Sequence, residues 1–218
     1  MPKLTLALFG SLRITLDGEP ITARLWAKPQ ALLAYLAVQA DVPHRREHLA
    51  GLLWPEQSDD AARTSLRQAL RQLNQALGDD LARLLDVTPQ TIQFNTTSDC
   101  QLDVTEFAAL MRACDQHPHR QRETCRACVE RLQRAVALYR GDLLAGFFLK
   151  DSTAFEEWAA VKREQLRHQA IAALNTLAEH YARRGEFALM EQAARRQIEI
   201  DPLYEDAHRQ VMRALVWR

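Results

Sequence analysis

The chain has 218 residues, enough for two domains of about 100 residues, each with its own core. Hydrophobic residues make up 47% and charged residues 26%, and no apolar run approaches the roughly 20 residues of a membrane span, so a membrane partner is not expected. Lys+Arg and Asp+Glu are equal at 28, so bulk charge lends no support to nucleic-acid binding and any basic footprint has to be local. The start, Met1-Pro2-Lys3-Leu4-Thr5-Leu6, lacks the charged and then apolar regions of a secretory signal, and the expected location is the cytoplasm.

In chain order, Leu4-Thr5-Leu6-Ala7-Leu8-Phe9 and Leu12-Arg13-Ile14-Thr15-Leu16 alternate as strands do, and Asp17-Gly18 follows as a hairpin signal. Pro29 suits a first helical turn, and Ala31, Leu32, Tyr35, Leu36 and Ala37 form an apolar stripe. A shorter helix is predicted from Arg46 to Leu53, and a longer one from Asp59 to Leu77 with Ser58 as N-cap and Gly78 as stop. Leu84-Leu85-Asp86-Val87 and Thr91-Ile92-Gln93-Phe94 flank Thr88-Pro89-Gln90 as a small hairpin. From Val104 onward the pattern is helical, over 105–116, 124–140, 153–183, 186–199 and 204–217, with breaks near Pro118, Gly141, Gly185 and Pro202. The polar stretch Thr97-Ser98-Asp99-Cys100-Gln101 marks the boundary, giving domains 1–98 and 99–218. The last helix stops at Trp217-Arg218 with no following partner, as in the amino-terminal part of a larger regulator.

The helix 59–77 carries the functional signal. Ala62, Leu66, Ala69, Leu70, Leu73 and Leu77 fall within one arc of about 100°, and the other face presents Thr64, Arg67, Gln68, Arg71 and Gln75, with Arg63 and Asn74 to one side. Such a face fits the major groove, where Arg bonds guanine and Gln or Asn bonds adenine, while Arg and Thr also reach phosphates. A solvated surface helix has the same residue types. Context favours the groove: there is no acid between Arg63 and Leu77, in a segment 1–104 with 10 Lys+Arg against 12 Asp+Glu.

Phe9-Gly10-Ser11-Leu12-Arg13-Ile14, Lys28-Pro29-Gln30-Ala31-Leu32-Leu33-Ala34-Tyr35-Leu36-Ala37, Leu52-Leu53-Trp54-Pro55 and Leu66-Arg67-Gln68-Ala69-Leu70-Arg71-Gln72-Leu73 resemble the OmpR-type winged helix of the Streptomyces antibiotic regulatory protein family. Leu138-Tyr139-Arg140-Gly141-Asp142-Leu143-Leu144, Glu157-Trp158 and Arg163 resemble that family's bacterial transcriptional activator domain. The resemblance implies an α+β fold: a winged helix-turn-helix followed by an all-α, tetratricopeptide-like repeat domain. It also implies a four-stranded sheet before the first helix, a recognition helix at 59–77 and a wing at 84–95. Its implied partners are double-stranded DNA with direct repeats, bound by paired protomers, and RNA polymerase, met by the loop Trp54 to Ser58 through Trp54, Glu56 and Gln57. Trp54 by itself suits a core anchor better than a polymerase contact. The wing departs from the family, since Thr88-Pro89-Gln90-Thr91 has no positive charge and leaves only Thr91 or Gln93 to reach a phosphate.

Leu174, Leu177, Ala178, Tyr181, Gly185 and Phe187, closing at Asp201-Pro202, resemble one tetratricopeptide repeat, with His208, Val211, Met212 and Leu215 opening the next. Met190 and Gln197 stand where small residues are common. Such stacks bind peptide or protein ligands on a concave face, or serve as spacers.

Cys114-x2-His117-x-His119-x5-Cys125-x2-Cys128 presents five candidates for the four ligands of a structural Zn2+. His117 and His119 remain alternatives for one place. The same cysteines also suit packing as small hydrophobes, the role expected of Cys100. No phosphate-cradling glycine motif, Ser–His–Asp arrangement or paired-carboxylate motif stands out, so an enzyme is not expected. The leading reading is a sequence-specific DNA-binding transcriptional regulator, which the resemblance implies to be an activator. The alternative is an interaction scaffold whose winged helix does not bind DNA.

Overall fold

Leu4, Leu6 and Ile14 are buried and Arg13 is exposed, so β1 (Leu4–Ala7) and β2 (Arg13–Leu16) form half-buried strands, antiparallel with Leu6 opposite Ile14. The structure is a computed structural model and describes residues 4–118 and 121–217. Asp17 and Gly18 take φ of 53° and 85°, the two positive values a type I′ turn requires, and lead into β3 (Glu19–Pro20).

The resemblance implies four strands before the first helix; among the described residues three precede it. The sheet order is β3-β2-β1-β7, and its fourth strand, β7 (Gln101–Leu102), comes after the hairpin and runs parallel to β1. A buried carboxylate holds that late strand in place. Asp103 accepts the backbone N–H of Leu8 at 2.9 Å and of Phe9 at 3.1 Å, just beyond the end of β1.

Helix α1 (Ala27–Val38) is buried on nearly all sides after its first turn, including Leu33 and Ala34, which the expected stripe omitted. It packs against α2 (Arg46–Leu53), α3 (Asp59–Leu77) and β6 (Thr91–Phe94), so few of its side chains face water. After α3 come the short α4 (Leu81–Leu84) and β5 (Leu85–Val87), and β5 and β6 form the expected hairpin. β4 (His44–Arg45) joins it as a third strand, in the order β4-β6-β5.

The helices of the second half are α5 (Asp103–Asp115), α6 (Arg126–Leu138), α7 (Thr153–Arg183), α8 (Phe187–Ile200) and α9 (Glu205–Trp217). Gly185, at φ 71°, lets the chain reverse between α7 and α8, with Glu186 N–H bonding the Tyr181 carbonyl at 2.9 Å. Met190 and Gln197 are both buried, and Gln197 gains a partner for its amide: Nε2 donates to Gln210 Oε1 at 3.0 Å, and Gln210 Nε2 donates to Asn175 Oδ1 at 2.6 Å. This amide chain joins α7, α8 and α9 through a layer where alanines (Ala193, Ala194, Ala207, Ala214) allow close packing. His208, Met212 and Leu215, expected to open the next repeat, are exposed, because α9 turns Ala207, Gln210 and Ala214 inward instead.

The sequence reading cuts the chain once, between 98 and 99. By packing it divides into Met1–Val104 with Leu143–Lys162, and Thr105–Asp142 with Arg163–Arg218. Segment 143–162 joins the first unit through backbone and aromatic contacts. Leu144 N–H bonds the Leu8 carbonyl at 2.8 Å, Ala145 N–H bonds the Gly10 carbonyl at 2.9 Å, and Trp158 lies 4.8 Å from the Tyr35 ring. No helix among the described residues is long and apolar enough to cross a membrane.

Candidate nucleic-acid interface and cysteine cluster

Helix α3 spans the residues its pattern predicts. Asp59 and Asp60 occupy its first turn, where acids favour the positive end of the helix dipole, and Gly78 ends it at φ 59°. Ser58 holds the N-cap position without a side-chain bond; its carbonyl accepts from Ala62 N–H at 2.8 Å. Ala62, Leu66, Ala69, Leu73 and Leu77 are buried, which turns Arg63, Thr64, Arg67, Gln68, Arg71, Asn74 and Gln75 to the surface, all exposed. Leu70, at the edge of the apolar arc, is half-buried.

These seven residues are not equivalent. Arg63 lies 3.7 Å from Asp60 and 3.9 Å from Glu47, so its charge is partly compensated. The Thr64 hydroxyl donates back to the Asp60 carbonyl at 2.9 Å. Arg67 and Arg71 have no ion pair among the described residues. On other helices arginines often meet an acid within a turn, as in Arg126–Glu130 at 2.8 Å, Arg195–Glu191 at 2.7 Å and Arg209–Glu205 at 3.1 Å. Helix α3 thus leaves uncompensated positive charge beside exposed amides.

The hairpin tip is also less neutral than its own sequence suggests. Arg45 pairs with Thr91 across β4 and β6 and is exposed, and Arg46 Nε donates to the Thr88 carbonyl at 2.9 Å. Sequence reasoning missed both, because they reach the wing from the end of β4 and the start of α2, some forty residues upstream, with 42 residues separating Arg46 from Thr88. The only local signal was the basic pair itself, at the start of α2. Gln93, one of the two wing residues left for a phosphate, instead donates to the Ala40 carbonyl at 3.3 Å, and the Thr91 hydroxyl lies 2.9 Å from that of Thr88.

In the loop before α3, Trp54 is 8% exposed and serves as an anchor. The Lys28 ammonium sits 5.7 Å from its ring centroid, donates to the Leu53 carbonyl and Ser152 Oγ, and pairs with Asp151 at 3.0 Å. That arrangement explains why a lysine precedes Pro29 in the first helix. Glu56 and Gln57 are exposed, with Gln57 Oε1 accepting from Ser65 Oγ at 2.8 Å.

In the second unit, Tyr139 Oη donates to Asp142 at 2.8 Å and Arg167 pairs with the same carboxylate at 2.5 Å. Burial raises the Asp142 carboxyl, but hydrogen bonds from Arg167 and Tyr139 and the charges of Arg167 and Arg163 outweigh it and hold the group below its ordinary value. The motif residues Tyr139 and Asp142 therefore lock the bend after α6.

The cysteine window also closes up. Cys125 is the N-cap of α6, Cys128 is buried in its first turn, and His117 follows the end of α5. The ligand atoms of His117, Cys125 and Cys128 all lie within 4.8 Å of one another, with Cys125 Sγ 3.6 Å from His117 Nδ1. Cys114 is fully buried, its thiol adjoins that of Cys128, and it donates to the Cys128 carbonyl at 3.7 Å. The backbone N–H of Cys128 is the main influence lowering the Cys125 thiol, while burial pushes Cys128 up to about 11. His119 lies outside the described residues. Cys100 stands apart, and burial pushes its thiol up to about 12.

A winged helix joined to stacked helical hairpins defines a protein of the transcription-regulator class. Residues 102–217 match the family described as the bacterial transcriptional activator domain, and the chain belongs to that family. The resemblance to regulators of the Streptomyces antibiotic regulatory protein type is thereby upheld. In fold the chain is similar to a solved structure described as Mycobacterium tuberculosis EmbR in complex with low affinity phosphopeptide, at TM-score 0.72 and 21% sequence identity. That similarity covers 100% of this chain and 55% of the other, so the chain spans about half the length of its relative. No curated protein matches.

Proposed function

We propose that the chain binds double-stranded DNA in a sequence-specific manner and activates transcription, with α3 in the major groove. The observation that carries this reading is the face of α3 on which Arg67 and Arg71 stand exposed, without an ion pair among the described residues, beside Gln68, Asn74 and Gln75. Arginine forks match guanine edges or phosphates, and the neighbouring amides match adenine, so one face holds donors for both. Arg63 and Thr64 lie nearer the helix start, suited to backbone contacts. Arg45 and Arg46 supply the charge that the wing tip itself lacks.

By the family reading, two protomers occupy direct repeats, and the loop carrying Glu56 and Gln57 meets RNA polymerase with Trp54 as its buried anchor. The helical repeats take a peptide or protein ligand. Selection of bound duplexes from a random pool tests the reading, since enrichment of a spaced repeat reports binding and protomer arrangement together. A second reading, an interaction scaffold, draws on the exposed apolar residues Met212, Leu215, Val216 and Trp217 of α9. It requires that no duplex be enriched.

A further inference from the structure

The geometry points to a structural zinc site at the α5–α6 corner, built from His117 Nδ1, Cys125 Sγ and Cys128 Sγ with Cys114 Sγ as fourth ligand. Zn–S bonds of about 2.3 Å and Zn–N bonds of about 2.0–2.1 Å in a tetrahedron set a sulfur-to-nitrogen edge of about 3.6 Å and a sulfur-to-sulfur edge of about 3.8 Å. Cys125 Sγ and His117 Nδ1 are already 3.6 Å apart and these two and Cys128 Sγ sit within 4.8 Å, so closing this three-ligand set takes movements below about an ångström per atom, while Cys114, outside that cluster, has to turn its thiol from the Cys128 carbonyl to complete the tetrahedron. Three thiolates and one imidazole suit zinc better than the hard cations, which prefer oxygen.

Among the described residues the corner has no apolar core of its own. The described residues between α5 and α6 are Gln116, His117, Pro118, Gln121, Arg122, Glu123, Thr124 and Cys125, with no large apolar side chain to enter a core. Polar contacts pin its far end: Arg122 pairs with Asp115 at 2.6 Å, Arg183 pairs with Glu123 at 3.0 Å, and His180 Nδ1 lies 2.7 Å from the Glu123 carbonyl. The near end has His117 and the thiols. A metal there joins the end of α5 to the first turn of α6, doing for a small polar corner what a core does elsewhere.

The test uses the full chain purified in reducing buffer without chelator. Metal analysis is expected to give about one zinc per chain. Replacement by Co2+ is expected to give the intense visible bands of a tetrahedral thiolate site. Cys125→Ser and His117→Ala, whose parent side chains are half-buried, should lower bound metal more than about tenfold with the helical circular dichroism retained. Cys114→Ser should alter the cobalt thiolate bands, and Cys100→Ser should leave metal content unchanged. Hydrogen exchange adds a readout independent of metal counting: chelation should deprotect the peptide spanning 114–128 and spare α3. Less than about a tenth of an equivalent after zinc loading, or undiminished metal in Cys125→Ser, overturns the site. An unchanged cobalt spectrum in Cys114→Ser overturns the fourth ligand. Neither result bears on DNA binding.

Discussion

Replacing Arg67 and Arg71 by alanine separates the two functional readings. Both side chains are exposed and lack an ion pair among the described residues, so each substitution should change folding stability by no more than about 0.5 kcal/mol. Four residues of helix rise about 6 Å, close to two base-pair steps of about 3.4 Å, so the two guanidiniums address neighbouring parts of one site. A base-edge contact contributes about 1–3 kcal/mol, hence about 5- to 150-fold in affinity for either single variant. The double variant should lose up to about 6 kcal/mol, a ceiling because neighbouring contacts couple. Fluorescence anisotropy on a selected duplex, between about 50 and 200 mM salt, tells the two kinds of contact apart. A phosphate contact lowers the salt slope by about one and weakens all sequences alike, whereas a guanine contact relaxes preference at one position. Affinity within about twofold of the parent, with an unchanged salt slope, refutes the assignment of this face to DNA.

Arg45→Ala should reduce the salt slope by up to about one with a smaller effect on sequence preference than Arg67→Ala, since Arg45 borders the wing; the same titration reads it. Asp103→Ala leaves the N–H groups of Leu8 and Phe9 without their carboxylate and should cost about 3 kcal/mol in urea denaturation, with Asp103→Asn recovering part of it. Asp142 carries a pH dependence. Its folded-state carboxyl is held below the unfolded value of about 3.9, so its contribution is full above that pH and is lost as pH falls through the folded value. The urea midpoint of Asp142→Asn should therefore drop less than that of the parent between about pH 7 and pH 3. A larger drop in the variant would contradict the pairing with Arg167 and Tyr139. Chelation provides the remaining test, through loss of protection around Cys125 and Cys128.

Much of this protein is local in origin and was therefore legible in its sequence. The α3 pattern alone predicts its span and its two faces, because a 3.6-residue period states which side chains share a side. Asp17-Gly18 likewise announces its turn, since the two positive φ values are a property of those residues. The motif resemblance extended that reading to the fold class.

Long-range pairing decided the rest. That the fourth strand of the first sheet is Gln101–Leu102 follows from a register set nearly a hundred residues away and from the Asp103 carboxylate that seals it. The basic charge beside the wing comes from Arg45 and Arg46, far upstream of the hairpin tip they meet. The assignment of segment 143–162 to the first unit rests on backbone bonds to Leu8 and Gly10. Spacing nominated five ligands, three cysteines and two histidines, and tertiary structure drew His117, Cys125 and Cys128 together with Cys114 beside Cys128. Periodicity and turn chemistry are written in neighbouring residues; which distant groups share a dry, hydrogen-bonded site depends on how the whole chain packs.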